Sequence, residues 1–103
     1  MNMAKVKIGH VVDFPEGKLK SIMIEGEKIL IVKVRGKLYA TSSICTHEEG
    51  QLEEGELEDY NIKCPLHFAV FDVRDGHVVE APAERDLKTF KVIIKGRDVF
   101  LEL

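Results

Sequence analysis

Short β-rich runs separated by glycine-containing turns recur along the chain, and this rhythm constrains the fold more than any other feature. Each run alternates apolar and polar residues or concentrates β-branched and aromatic ones, as strands do. The runs cover residues 19–24, 28–34, 38–41, 69–73, 77–80, 89–94 and 99–103. Tight hairpins require a positive φ angle, and the connections place glycine there, at Gly26, Gly36, Gly76 and Gly96. The sequence predicts an all-β fold with at least three hairpins.

The strand pattern is interrupted between Ser42 and Cys64. This interruption is long for a chain of 103 residues, and long loops inside a compact domain usually carry function. A chain of 103 residues is long enough for one domain only, so we predict a single domain over residues 1–103. A site-bearing subregion of about residues 42–82 is expected to lie between the strands that come before and after it.

Charge and hydropathy exclude several classes of function. The chain has 15 Lys and Arg against 18 Asp and Glu, so it lacks the cationic excess of a nucleic-acid-binding protein. Its longest apolar run, residues 29–32, is far shorter than the roughly 18 residues of a membrane span, and residues 1–5 form no apolar signal segment. We expect a cytoplasmic protein that binds neither nucleic acid nor a membrane.

The acidic residues are unevenly distributed along the chain. Seven of them, and no basic residue, fall within residues 48–59: Glu48, Glu49, Glu53, Glu54, Glu56, Glu58 and Asp59. Gly50 and Gly55 limit any helix in this stretch to a short turn. The stretch is expected to form one dominant acidic surface, which is either a solvated face or a docking surface that steers cationic partners.

Two Cys/His pairs, Cys45 with His47 and Cys64 with His67, are separated by sixteen residues. In the reducing compartment that we expect for this chain, cysteines bind metals or act in catalysis more often than they form disulfides. A single histidine is usually an ordinary polar residue. Two thiolates and two imidazoles at this spacing, however, make a complete set of four ligands, which indicates a metal centre.

The order of the ligands separates two kinds of metal centre. Zinc accepts two cysteines and two histidines, but its usual motifs group Cys with Cys and His with His. In a 2Fe-2S cluster held by two thiolates and two imidazoles, each loop can donate one ligand to each iron. The alternating order therefore favours an iron-sulfur cluster over zinc.

The two motifs resemble those of the Rieske ferredoxin family, which read Cys-x-His-x-x-Gly-x-Leu and Cys-Pro-x-His-x-x-x-Phe-Asp. This chain has Cys45-Thr46-His47-Glu48-Glu49-Gly50-Gln51-Leu52 and Cys64-Pro65-Leu66-His67-Phe68-Ala69-Val70-Phe71-Asp72. The likeness covers nearly the whole chain and implies a Rieske-like antiparallel β-sandwich with an inserted two-loop cluster-binding subdomain. One departure is Phe68, where many members have glycine directly after the second histidine; it removes no ligand.

The resemblance also implies how one 2Fe-2S cluster would be held. Cys45 and Cys64 would bind the buried iron, and His47 and His67 would bind the outer, solvent-facing iron. Residues 80–83 look like the proline loop that covers the cluster from a third side in family members.

The likeness further implies a soluble, monomeric one-electron carrier. It would take electrons from a flavin-containing ferredoxin reductase and pass them to a terminal oxygenase such as an aromatic-ring dioxygenase. It is not expected to be an enzyme, because an oxygenase needs a second iron held by two histidines and a carboxylate, and only His10 and His77 remain. Two alternatives stay open: a structural zinc-binding module, and a small Rieske-like subunit of a nitrite reductase, which often lacks the ligands present here.

A low reduction potential within the Rieske range is a further implication of the likeness. High-potential relatives carry a serine and a tyrosine whose hydroxyls donate to the sulfurs, at positions where this chain has Ala69 and Phe71. They also carry a disulfide between the two loops, at positions that are Gly50 and Leu66 here. Because fewer hydroxyls are then present to stabilise the reduced state, we expect a potential toward the low end of the range.

Overall fold

The computed structural model describes residues 5–46, 50–66, 68–81 and 85–103, and its regular structure is almost entirely antiparallel strand. The strands are β1 (Lys5–His10), β2 (Leu19–Ile24), β3 (Glu27–Val34), β4 (Lys37–Ser42), β5 (Glu56–Glu58), β6 (Asn61–Lys63), β7 (Val70–Asp72), β8 (Val78–Glu80), β9 (Thr89–Lys95) and β10 (Asp98–Glu102). Two short 3-10 turns lie at Val11–Asp13 and Leu52–Glu54. The predicted all-β fold is confirmed. Within these stretches, no helix has the length and apolar character needed to cross a membrane.

The strands form two sheets, and the strands of the smaller sheet are inserted in the chain between two strands of the larger one. Strands β1 to β4 and the hairpin β9–β10 make a six-stranded sheet in the order β1-β10-β9-β4-β3-β2, and β5 to β8 make a four-stranded sheet in chain order. Along the chain, the four strands of the smaller sheet lie between β4 and β9 of the larger one. The predicted hairpin glycines, Gly26, Gly36, Gly76 and Gly96, all have φ angles between 62° and 80°, which confirms the turn predictions.

Strand β3 contributes to both hydrophobic cores. Leu30, Val32 and Val34 belong to the core that contains the two cysteines, whereas Ile29 and Ile31 belong to the second core, which strands of the six-stranded sheet and Phe14 form. Because side chains of a strand alternate between its faces, one strand can line both cores at once. Burial on both faces explains why this strand reads as a continuous apolar run. The site-bearing subregion is thereby packed directly on the scaffold.

The sequence pattern misses β1, β5 and β6. Strands β5 and β6 form a short hairpin, with Leu57 opposite Ile62, inside the otherwise loop-rich stretch from Ser42 to Cys64. Each of these two strands is only three residues long, with a single apolar residue between polar ones, which is too short for alternation to be recognised.

Tyr60, in the turn between β5 and β6, connects the two sheets. Its ring meets that of Tyr39 on β4 edge-on, with the ring centroids 6.1 Å apart. The guanidinium carbons of Arg35 and Arg74 lie 5.2 Å and 4.0 Å from the Tyr60 centroid, within the range of cation–π attraction. Arg35 also donates two hydrogen bonds of 3.1 Å to Asp59. These contacts attach the inserted hairpin to the β3–β4 turn.

The turn between β7 and β8 is held against the segment that leads into β9. The backbone oxygen of Gly76 accepts a 2.8 Å hydrogen bond from the Leu87 amide, and a Cβ atom at position 76 would lie 2.1 Å from the Leu87 oxygen. Gly36, in the β3–β4 turn, has nearly the same φ angle, 79° against 78°, but a Cβ atom there would meet none of the described residues within 4 Å. A substitution at Gly36 would therefore cost backbone strain alone, whereas the same substitution at Gly76 would add a steric conflict.

We expect Gly76→Ala to destabilise the protein more than Gly36→Ala. Both variants place alanine in the left-handed region, at a cost of about 1–2 kcal/mol, and only Gly76→Ala adds a steric conflict with backbone, for a total of about 2–5 kcal/mol. Urea denaturation followed by far-UV circular dichroism measures both free energies of unfolding. Equal losses in the two variants would contradict the close packing of Gly76 on Leu87.

Candidate metal centre

Two loops of equal length carry the two cysteines, and each is closed by the same backbone hydrogen bond. The Cys45 amide donates to the Gly50 oxygen, and the Cys64 amide donates to the Ala69 oxygen, both at 2.8 Å. In each loop the cysteine is the first residue and the acceptor lies five residues further on. The sequence motifs predict the ligand types at these positions, but the matched closure of the loops is visible only in the structure.

Both cysteine side chains lie inside the protein. Cys45 is 2% exposed and Cys64 is fully buried, and the two belong to one apolar cluster with Leu52, Ile62 and Phe71. They are not joined by a disulfide. The structure thus brings the two predicted thiol ligands, which are nineteen positions apart in the sequence, into the same water-excluded core.

The predicted histidine ligands, His47 and His67, lie outside the described residues, as do Pro82 and Ala83 of the predicted third loop. Within the described stretches, no group of three or more His, Cys, Asp or Glu side chains could hold a metal ion. Two of the four predicted ligands are not part of those stretches. The four-residue ligand set therefore stays a prediction.

Gly50 makes the close contact between the two loops. A Cβ atom at this position would lie 2.6 Å from the Cys64 sulfur and 3.3 Å from Cγ of Leu66. Real Cβ atoms do not approach sulfur so closely, so any larger residue would displace the Cys64 side chain or separate the loops. In this chain, glycine is needed at position 50 for space.

Phe68 has an unusual backbone conformation for its residue type. Its φ angle is 59°, in the left-handed region that glycine adopts without strain and other residues adopt at a cost of about 1–2 kcal/mol. Its side chain is 64% exposed, and that of Leu66, two positions earlier, is 44% exposed. Two exposed apolar side chains therefore flank position 67.

A polar network anchors the segment that follows the first loop. The buried Ser43 hydroxyl donates a 2.7 Å hydrogen bond to Glu53, and the Lys28 ammonium donates to both Glu53 and Gln51. Partial burial raises the pKa of Glu53, but the hydrogen bonds from Lys28 and Ser43 outweigh it and hold that pKa below its usual value. Nothing in the sequence singled out this glutamate, since its cationic partner lies 25 positions away.

Some carboxylates of the predicted acidic surface are paired with cations, while Glu48 and Glu49 lie outside the described residues. Of the acidic residues in 48–59 that the structure describes, Glu53 is paired with Lys28 and Asp59 with Arg35. The side chains of Glu54, Glu56 and Glu58 are exposed, as is that of Glu80 at the end of β8. Strand register places Glu56 opposite Lys63 and Glu80 opposite Val70 in one row across the four-stranded sheet. Exposed carboxylates therefore lie at both ends of this row, with the exposed Lys63 beside Glu56.

Known proteins resemble this chain in both sequence and fold. A family model described as the Rieske [2Fe-2S] domain matches residues 4–91. The ferredoxin component of the naphthalene 1,2-dioxygenase system from Pseudomonas aeruginosa is 37% identical over 91 residues, which are 88% of each chain. The solved ferredoxin of carbazole 1,9a-dioxygenase from Nocardioides aromaticivorans IC177 superposes with a TM-score of 0.91 at 25% identity, over 96% of this chain and 97% of that one. A chain in the solved complex of reduced oxygenase and oxidized ferredoxin in carbazole 1,9a-dioxygenase has a TM-score of 0.87 at 28% identity, over 93% and 99%.

We expect the Glu53 network to stabilise the protein at neutral pH and to lose its effect in acid. Because folding lowers the pKa of Glu53, its ionised form favours the folded state. The stabilisation is present above the usual carboxyl pKa of 4.5 and is lost as the pH falls through the lower folded value. Glu53→Gln should therefore reduce the free energy of unfolding by about 1–2 kcal/mol at pH 7, and the difference should vanish in acid.

Denaturant unfolding of the wild type and the variant between pH 3 and pH 7, about the range in which carboxyls titrate, measures this difference. Glu54→Gln, at the exposed neighbouring position, is the matched control and should change stability little at any pH. A Glu53→Gln deficit that persists unchanged into acid would contradict the role of the ionised carboxylate.

Proposed function

Because the chain belongs to the Rieske [2Fe-2S] family, we propose that it is a one-electron carrier between a flavin-containing ferredoxin reductase and a terminal oxygenase such as an aromatic-ring dioxygenase. In this proposal it is a monomer of one domain, residues 1–103, that works in the cytoplasm and is not itself an enzyme. The relatives support this, since they are named as ferredoxin components of dioxygenase systems. The observation that carries the proposal is the pair of matched loops that start at buried cysteines.

The residues at the two loops fit one 2Fe-2S cluster. Cys45 and Cys64 supply thiolates, the soft ligands that iron-sulfur clusters take, and we propose that they hold the buried iron while His47 and His67 hold the outer one. When bound, such a cluster would supply one reversible electron. The apolar core around the sulfurs excludes water, and Gly50 lets the two loops approach each other.

The surroundings of the second loop support a low reduction potential. Ala69 and Phe71 are fully buried beside Cys64 in the same apolar cluster, and neither has a hydroxyl to donate to sulfur. Hydroxyl hydrogen bonds to sulfur stabilise the more negative reduced state, and the residues at these two positions cannot supply them. We therefore place the centre toward the low end of the Rieske range, which suits a donor to an oxygenase.

The surface at the second loop suits brief docking of a redox partner. Leu66 and Phe68 offer exposed apolar contacts, and Phe68 lines a shallow cleft outside Cys64 together with two carboxylates and one cation, Glu54, Glu56 and Lys63. A small apolar centre bordered by charge is typical of interfaces that form and dissociate quickly. Negative charge beside it would attract a partner with a cationic surface and raise the rate of encounter.

We expect each proposed ligand to be required for the cluster. Cys45→Ser and Cys64→Ser should abolish the visible absorbance and the iron and acid-labile sulfide of the purified protein, since serine offers no soft anionic donor. His47→Ala and His67→Ala should lose or badly weaken the cluster. His77→Ala, at an exposed position in the β7–β8 turn, is the control and should retain it.

The same measurements separate the alternatives. Zinc without sulfide in the wild type would indicate a structural zinc module and contradict the proposal. Full cluster content in both cysteine variants would mean that the ligand assignment is wrong.

Electron transfer is tested directly in a separate assay. Wild type reduced by a flavin reductase and NADH should be reoxidised by an oxygenase, and the cysteine variants should not support this reaction.

We expect reduction by the reductase to slow as ionic strength rises. Salt shortens the reach of the acidic field from about 30 Å at 0.01 M to about 3 Å at 1 M, so the bimolecular rate should fall about tenfold or more over this range. Stopped-flow measurements follow the rate. The double variant Glu56→Gln/Glu58→Gln should be slower at low salt, and Glu25→Gln/Glu102→Gln, which removes the same charge from the other sheet, should resemble wild type. A rate indifferent to salt would mean that the acidic face is only solvated.

A further inference from the structure

The segment before β9 is fastened to the first ligand loop by a reciprocal pair of hydrogen bonds. The Thr46 hydroxyl donates to the backbone oxygen of Arg85 at 2.6 Å, and the Arg85 guanidinium donates to the backbone oxygen of Thr46 at 3.3 Å. Thr46 lies between Cys45 and His47 in the first motif. The contact therefore brings a cationic side chain to the residue between two proposed cluster ligands.

Arg85 is held by more than this contact, because the two residues after it are also anchored. The carboxylate of Asp86 accepts a 3.0 Å hydrogen bond from the Val78 amide, and Leu87 is buried and donates a 2.8 Å hydrogen bond to Gly76. The segment thus joins the first ligand loop to the β7–β8 turn.

We propose that Arg85 raises the reduction potential of the iron-sulfur centre, and that Thr46 is the positioning residue that holds Arg85 beside the first ligand loop. The inference rests on the proposed function. A centre that gains an electron becomes more negative, so a fixed positive charge nearby stabilises the reduced form relative to the oxidised one. The cationic side chain offsets part of the effect of the missing hydroxyl donors at Ala69 and Phe71.

Because Arg85 is exposed to solvent, its effect on the reduction potential should depend on salt concentration. The Arg85 side chain is exposed, so dissolved ions screen its charge, and its influence should weaken as the salt concentration rises. A purely structural role would give a shift that does not depend on ionic strength. Under a purely structural role, the shift in potential would also be independent of the sign of the charge at position 85.

The test is a charge series at position 85, with the midpoint potential measured by protein-film voltammetry at low and at high salt. Arg85→Lys should stay near wild type, Arg85→Gln should shift the potential downward, and Arg85→Glu should shift it further in the same direction. Each shift should shrink at high salt. Arg97→Gln removes the same charge from the β9–β10 turn, about 20 Å along β9 from the start of that strand, and should move the potential less.

Two variants of Thr46 test the positioning role. Thr46→Val removes the hydroxyl that holds the Arg85 backbone and should lower the potential by less than Arg85→Gln does, whereas Thr46→Ser keeps the hydroxyl and should restore the wild-type value. Wild-type behaviour of Thr46→Val would overturn the role of Thr46. A shift in Arg85→Gln that equals that of Arg97→Gln, or that salt leaves unchanged, would overturn the role of Arg85.

The wild-type protein separates failure of this inference from failure of the proposed function. A wild type without a reversible one-electron couple or a 2Fe-2S absorbance would overturn the proposed function, and this inference with it. A normal wild-type couple with no graded response at position 85 would overturn the inference alone. Iron and sulfide assays on every variant confirm that potentials are compared between equally loaded proteins.

Discussion

The close packing of Gly50 on the sulfur of Cys64 is the contact on which the site depends. The two loops belong to separate parts of the chain, and each is closed independently by its own cysteine amide. Only the absence of a side chain at position 50 lets the first loop reach the buried sulfur of the second. Because both cysteines also lie in one apolar core, the packing that stabilises the fold and the packing that shapes the site are the same.

Strand β3 packs the scaffold against that site. One of its faces packs into the core around the cysteines and the other into the second core, and Lys28 near its start holds the segment after the first loop through Glu53. Tyr60 and its flanking arginines fasten the opposite hairpin. An electron carrier benefits from this rigidity, since little structural rearrangement then accompanies the gain of charge.

The carboxylates of the acidic stretch fall into two groups, those paired with cations and those left exposed to solvent. Glu53 and Asp59 are paired with cations and hold elements together, whereas Glu54, Glu56 and Glu58 remain exposed along the inserted sheet. Screening by salt acts far more on the exposed carboxylates than on the partly buried Glu53–Lys28 pair. The docking field and the internal stability of the protein can therefore vary independently, although both arise from one acidic stretch of sequence.

The sequence by itself determined the all-β class, the hairpin glycines, the inserted subregion and the types of the proposed ligands, because these depend on local chain geometry and on donor chemistry. It could not show the β5–β6 hairpin, whose strands are too short to display a period. Nor could it show that Glu53 is paired with Lys28, or that Thr46 meets Arg85 across 39 positions. Those contacts exist only because two sheets fold onto each other and bring distant residues within hydrogen-bond reach.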